Sequence, residues 1–132
     1  MIKTVHIKTK EQTAFYNITS YVRQAVIESG VNEGIAVVFC PHTTAGITIN
    51  ENADPDVVCD LSLALNKTFP DRPQFRHAEG NSHAHMKSTC IGCSETVIVS
   101  DNRLLLGTWQ GIYFVECDGP RDRMFYIKVM RG

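Results

Sequence analysis

The last third of the chain constrains its fold most, because Thr96–Val99, Arg103–Leu106, Ile112–Glu116 and Met124–Val129 are four β-type runs in close succession. Parallel neighbours need a crossover of about a dozen residues or more, so strands this closely spaced are expected to pair antiparallel. Ile2–Ile7, Phe15–Ile18, Ile35–Cys40 and Ile47–Asn50 read as further strands. The polar stretch 8–12 joins the first two. Pro41 stops the third by removing a ladder donor, and Ile47–Asn50 reads as the strand returning from it.

Three helices are expected between these runs. Thr19 or Ser20 can cap one whose apolar face is Val22, Ala25 and Val26, with Gly30 ending it in the left-handed conformation. Asp54 before Pro55 is a cap followed by a first-turn proline, and Val57, Val58, Leu61, Ala64 and Leu65 then recur at helical spacing. A polar, irregular segment from Phe69 to Ser82 precedes a third, short helix from about His83 to Ile91. Strands and helices mixed in this way give an α+β domain spanning residues 1–132, a length at which a chain can bury a real core.

Charge and hydropathy narrow the function classes. Thirteen basic against fourteen acidic side chains leave a formal charge of −1, so the broad positive field of a nucleic-acid binder is missing. No run approaches the length of a signal peptide core or a membrane span, and a cytoplasmic protein without membrane or nucleic-acid partners is expected. The five cysteines are odd in number and sit mostly in apolar runs; they read as reduced core residues. Cys90 and Cys93 share the spacing of redox and zinc motifs, but no second pair accompanies them.

Four stretches can carry chemistry. Pro41 to Gly46 sets His42, Thr43 and Thr44 at the end of a buried strand, where a hairpin turn would be the simpler account. Asn50 to Pro55 gathers Glu51, Asn52 and Asp54 at a helix start; capping explains Asp54 but not the others. Arg76 to Lys87 holds His77, Glu79, Asn81, His83, His85 and Lys87, the usual ingredients of a metal or acid–base site. Four-residue spacing puts His85 beside Asn81 and Thr89 and His83 beside Lys87, so the two are not expected to act as a pair; His83, like His6, reads as a solvated surface residue. The fourth stretch brackets Trp109 with Gly107 and Gly111 and continues to Arg121, whose planar fork suits phosphate unless it pairs with Glu116, Asp118 or Asp122.

Together the runs 41–55, 77–87, 106–111 and 118–121 resemble the YjbQ-like family, labelled secondary thiamine-phosphate synthase, nearly end to end. The resemblance implies a mostly antiparallel two-sheet α+β sandwich with about three helices, assembled as a homotrimer. It implies His42, Glu51, His77, Glu79 and His85 as catalytic residues, and Thr43, Thr44, Asn52, Asn81, Lys87, Trp109 and Arg121 as contacts to a small phosphorylated metabolite.

The labelled reaction joins a pyrimidine methyl pyrophosphate to a thiazole phosphate and releases pyrophosphate. Lys87, Arg121 and a divalent metal, zinc or magnesium, would hold the phosphates, Trp109 would flank a ring, and Glu51 or Glu79 would stabilise the developing cation or bind the metal. Two rivals remain. One is a metal-dependent hydrolase with His42, His77 and His85 on the ion; the other is a binding module that holds a phosphorylated metabolite without turning it over.

Overall fold

The computed structural model describes residues 1–132. In chain order the elements are β1 (Ile2–Lys8), β2 (Ala14–Asn17), α1 (Thr19–Ser29), β3 (Gly34–Phe39), β4 (Ala45–Glu51), α2 (Pro55–Thr68), α3 (Ser82–Ile91), β5 (Ser94–Ser100), β6 (Arg103–Leu104), β7 (Gln110–Glu116) and β8 (Asp122–Arg131). The expected α+β class and three helices are present. The strands form two sheets, ordered β1-β8-β3-β5-β6 and β2-β7-β4, and every pairing is antiparallel.

Connectivity differs from the simple hairpins expected. β1 and β2 do not pair with each other but join β8 and β7, and β4 does not return alongside β3 but crosses to the second sheet. Of the four late strands, β5 and β6 are neighbours, while β7 and β8 lie in different sheets. The cause is the unbroken apolar run of β7. Ile112 and Phe114 face the core between the sheets, whereas Tyr113 and Val115 face a second cluster with Ala84 of α3, against which Val58 of α2 packs. A strand apolar on both faces belongs in the middle of a covered sheet.

The main core lies between the sheets and includes Val38, Ile47, Phe114, Phe125 and Ile127, with α1 inserting Val22, Ala25 and Val26. Gly30 ends α1 at φ 65° as expected. The start differs, because neither Thr19 nor Ser20 caps it. Instead Asn17 Oδ1 accepts the Thr19 N–H at 3.1 Å and the Thr19 hydroxyl at 2.6 Å, which frees Thr19 Oγ1 to accept the Ile112 N–H at 2.9 Å. For α2, Asp54 accepts the Asp56 N–H at 2.9 Å.

Two surfaces are less covered than their sequences suggest. The helix α2 contributes no fully buried residue, and the outer face of the five-stranded sheet shows Ile2, Phe39, Ile98 and Met130 to solvent. Three cysteines also depart from the core reading: Cys59, Cys90 and Cys93 are exposed, and only Cys40 and Cys117 are buried, all five as free thiols. Burial pushes the Cys40 thiol up to about 11 and the Cys117 thiol up to about 12. Both are therefore unreactive core residues at neutral pH.

Candidate functional site

The end of β3, the segment before α3 and the start of β8 meet around an open cavity of about 350 Å³. Apart from Pro41 every lining residue is polar or charged: His42, Thr43, Thr44, His77, Glu79, Asn81, His85, Arg121 and Arg123. A larger groove of about 420 Å³ between α1, β1 and β8 is mostly apolar. Its charged side chains, Lys3 and Glu28, pair with each other at 3.2 Å.

His77 and His85 form the cavity's imidazole pair, with ring centroids 5.4 Å apart and planes at 79°. Helix α3 supplies His85, and the irregular segment before it supplies His77. His42 stands separately. Its Nε2 lies 3.0 Å from both the carbonyl oxygen and the amide nitrogen of Met124, so the ring donates to the carbonyl in one tautomer and accepts the N–H in the other. Burial, reinforced by Arg123, holds His42 below the usual histidine range, and at neutral pH the ring is uncharged.

Below the imidazoles, Glu79 and Asp118 are tied together by two donors. Asn81 Nδ2 donates to Glu79 Oε2 at 2.9 Å and to Asp118 Oδ2 at 2.8 Å. Arg121 Nη2 donates to the same two oxygens at 3.3 and 2.8 Å, while its Nε donates to the Asp118 carbonyl at 2.9 Å. Of the three carboxylates considered from the sequence, Asp118 is thus the one that pairs with Arg121. Because both neighbours are carboxylates, the nitrogen of the Asn81 amide must face them, which leaves its Oδ1 buried without a partner.

Behind this layer lies a buried ion pair. Glu116 is fully buried and Arg123 is 6% exposed. Arg123 Nε and Nη2 donate to the two Glu116 oxygens at 2.8 and 2.6 Å, and Nη2 also reaches Thr44 Oγ1 at 2.8 Å. Thr9 Oγ1 and the Asp118 N–H complete the carboxylate at 2.7 and 2.9 Å. Burial alone would raise Glu116, yet these donors outweigh it and hold the carboxyl below its ordinary range.

Sequence reasoning did not single out Arg123, and weighed Glu116 only as a partner for Arg121. A signal was present: Arg123 stands two and four residues before Phe125 and Ile127 on one strand, so alternation turns its charge toward the core.

Other expected site residues lie elsewhere in the chain. Glu51, Asn52 and Trp109 gather at the far end of β4, where the Asn52 N–H donates to the Trp109 carbonyl at 2.9 Å and Tyr113 Oη donates to the Glu51 carbonyl at 3.0 Å. Seven residues of extended strand put roughly 20 Å between that end and the cavity. Lys87 is not a lining residue. It is 1% exposed, and its Nζ donates to Asn66 Oδ1 of α2 at 2.6 Å, with Thr13 Oγ1 more distant at 3.5 Å. His83 is not solvated either; its side chain is 15% exposed, with Nδ1 3.8 Å from Asp71 Oδ1.

The three imidazoles expected to hold an ion in the hydrolase reading do not fit as arranged. His42 spends Nε2 on the Met124 backbone, and no three His, Cys, Asp or Glu side chains stand close enough together to hold an ion.

The burial of Lys87 gives a direct prediction. Burial holds its pKa below the ordinary lysine value of 10.5, so below that value the unfolded chain binds more protons than the folded one. Stability contributed by this position should rise as pH climbs through the folded pKa toward 10.5. The wild-type curve minus that of Lys87→Met, from urea unfolding between pH 7 and 10.5, should show that rise. A flat difference would mean the ammonium is solvated.

Comparison with known proteins gives a consistent picture. Residues 3–132 match the family model described as UPF0047 protein YjbQ-like. The UPF0047 protein YugU of Bacillus subtilis is 53% identical over 131 residues, covering 98% of this chain and 99% of that one. A UPF0047 protein of Methanocaldococcus jannaschii is 52% identical over 130 residues, covering 98% and 94%. Among solved structures, an uncharacterized conserved protein of the YjbQ/UPF0047 family from Clostridium acetobutylicum superposes with a TM-score of 0.95 at 55% identity, covering 97% of this chain and 99% of that one. A YbjQ-like protein of unknown function from Sulfolobus solfataricus reaches 0.95 at 30% identity, covering 100% and 97%. No helix is long and apolar enough to cross a membrane.

Proposed function

The chain belongs to the UPF0047 protein YjbQ-like family, and from that premise we propose that its polar cavity binds a small phosphorylated metabolite and performs acid–base chemistry on it. The observation that carries this reading is the lining. Three imidazoles and two guanidiniums converge on one cavity with no large apolar side chain among them. Such donors match phosphate oxygens, and an imidazole pair can deliver a proton to a departing group.

The reaction we propose is the thiamine-phosphate synthase transfer. The bond between the pyrimidine methylene carbon and the pyrophosphate oxygen breaks, the thiazole nitrogen bonds to that carbon, and pyrophosphate leaves with the electron pair. His77 or His85 protonates it, while Arg121 and Arg123 hold its oxygens. The cavity's lining holds no Trp, Tyr or Phe, and Trp109 lies at the other end of β4. Incubating the protein with the two substrates and measuring pyrophosphate release tests the proposal. Release that depends on both substrates supports it; tight binding of both without release makes the domain a binding module instead.

A homotrimer belongs to the same proposal. It is supported by a helix, α2, that buries no residue in the isolated chain and by the apolar outer face of the larger sheet, which an interface would cover. Sedimentation at micromolar concentration should give three times the monomer mass of 14.8 kDa. A stable monomer would remove the trimer.

A further inference from the structure

We infer that Arg123 is the cavity's fixed anion-binding residue, presenting Nη1 to an oxygen of the ligand's phosphate or pyrophosphate. The inference rests on reading the cavity as a phosphate site and names the group that decides how the phosphate is held.

Donor accounting leads to it. A guanidinium has five N–H bonds. Arg123 spends Nε on Glu116 Oε2, and Nη2 on Glu116 Oε1 and on the hydroxyl and carbonyl of Thr44. Nη1, with two N–H bonds, has no partner in the protein. Yet it is not among the polar atoms left buried and unsatisfied, which are only Asn81 Oδ1 and His83 Nδ1. Nη1 therefore reaches solvent, and the cavity is what Arg123 lines. Although the residue is only 6% exposed, one edge of the fork is left open to the site.

The other edge is locked. Glu116 takes both Nε and Nη2 side on, and is itself held by Thr9 and by the Asp118 N–H. Thr44 fixes the remaining N–H. Such a bidentate clamp sets the plane of the guanidinium before any ligand arrives, so little ordering remains when an anion docks. Arg121 repeats the arrangement two residues earlier: Nε and Nη2 are spent on Asp118 and Glu79, and Nη1 has no protein partner. Arg121 is 45% exposed at its side chain and Arg123 is buried, so Arg123 is the rigid member. Because each guanidinium is neutralised by its carboxylates, the site selects by donor geometry more than by net field. Thr9 and Glu116 are then positioning residues, acting through Arg123.

Titration with inorganic pyrophosphate tests the assignment. In protein carrying ¹⁵N-labelled arginine, pyrophosphate should shift the Arg123 Nη1 signal and leave its Nε signal in place, since Nε stays on Glu116. Arg123→Lys, checked for folding by its melting curve, should weaken pyrophosphate binding by roughly tenfold to a hundredfold, the loss expected for a charge-assisted hydrogen bond. Wild-type protein that binds pyrophosphate with the Nη1 signal unmoved would overturn the role of Arg123 and leave the phosphate reading standing. Failure of the wild type to bind either pyrophosphate or inorganic phosphate would remove both. Should Arg123→Lys fail to fold, the wild-type spectrum decides alone.

Discussion

Glu116→Gln is expected to lower folding stability by about 3–5 kcal/mol, the loss found when one partner of a buried ion pair is removed. Shape is conserved in this replacement, so the effect isolates charge and acceptor capacity. Both carboxylate oxygens receive two donors each: Thr9 Oγ1 and Arg123 Nε on one, Arg123 Nη2 and the Asp118 N–H on the other. Whichever way a Gln amide turns, its nitrogen faces donors, and the Arg123 charge is left buried without a counterion. Glu116→Met combined with Arg123→Met should recover most of the loss, because an apolar pair leaves no orphaned charge. Urea unfolding of the single and double variants measures this. A loss below about 1 kcal/mol for Glu116→Gln would mean water reaches the pair.

The same network sets the acid limb of stability. Glu116 and Asp118 are both held below their ordinary values, in each case because hydrogen bonds outweigh burial. Carboxyls of this kind contribute stability that is complete above the unfolded pKa and is lost as pH falls through the folded one. His42 acts earlier. Its folded pKa lies below 6.5, so as pH drops past that value the unfolded chain takes up the proton first and stability declines. The wild type should therefore lose stability in two stages, one beginning near pH 6.5 and one below about 4.5. His42→Gln should remove the first stage and spare the second.

The second large effect is expected on the proposed transfer reaction. His85→Asn and His77→Asn are each expected to lower kcat about 10²–10⁴-fold, the range for loss of a positioned general acid or base, with smaller changes in KM. The rings stand 5.4 Å apart at the cavity, where one can protonate a departing oxygen. Neither ring is in the packed core: His77 is exposed and His85 half-buried, so melting temperatures should move little. Variants that keep the wild-type rate of pyrophosphate release would end the acid–base role of the pair.

The element list was largely legible in the sequence because its signals are local. Asp54 before Pro55, Gly30 after an apolar stripe and the break at Pro41 each follow from backbone chemistry within a few residues. Sheet membership was not legible, since alternation shows which side chains share a face but not which strand lies next door. Only the two-faced apolar run of β7 hinted that it would be sandwiched.

The site divides along the same line. His42, His77, Glu79, Asn81, His85 and Arg121 meet at one cavity, as stretches rich in polar side chains can suggest. That Lys87 would be spent on Asn66, and that Glu51, Asn52 and Trp109 would gather at the other end of β4, depends on chain crossings invisible to spacing. Arg123 was hidden differently: its meaning lay in Glu116, a partner seven residues away on a strand of the other sheet.

The most direct test of the central claim is a crystal of this protein soaked in pyrophosphate. Density is expected in the cavity between His77, His85 and Arg123, with an oxygen within hydrogen-bond distance of Arg123 Nη1. Density only at the Trp109 end of β4, or a cavity that stays empty while pyrophosphate binds in solution, would contradict that claim.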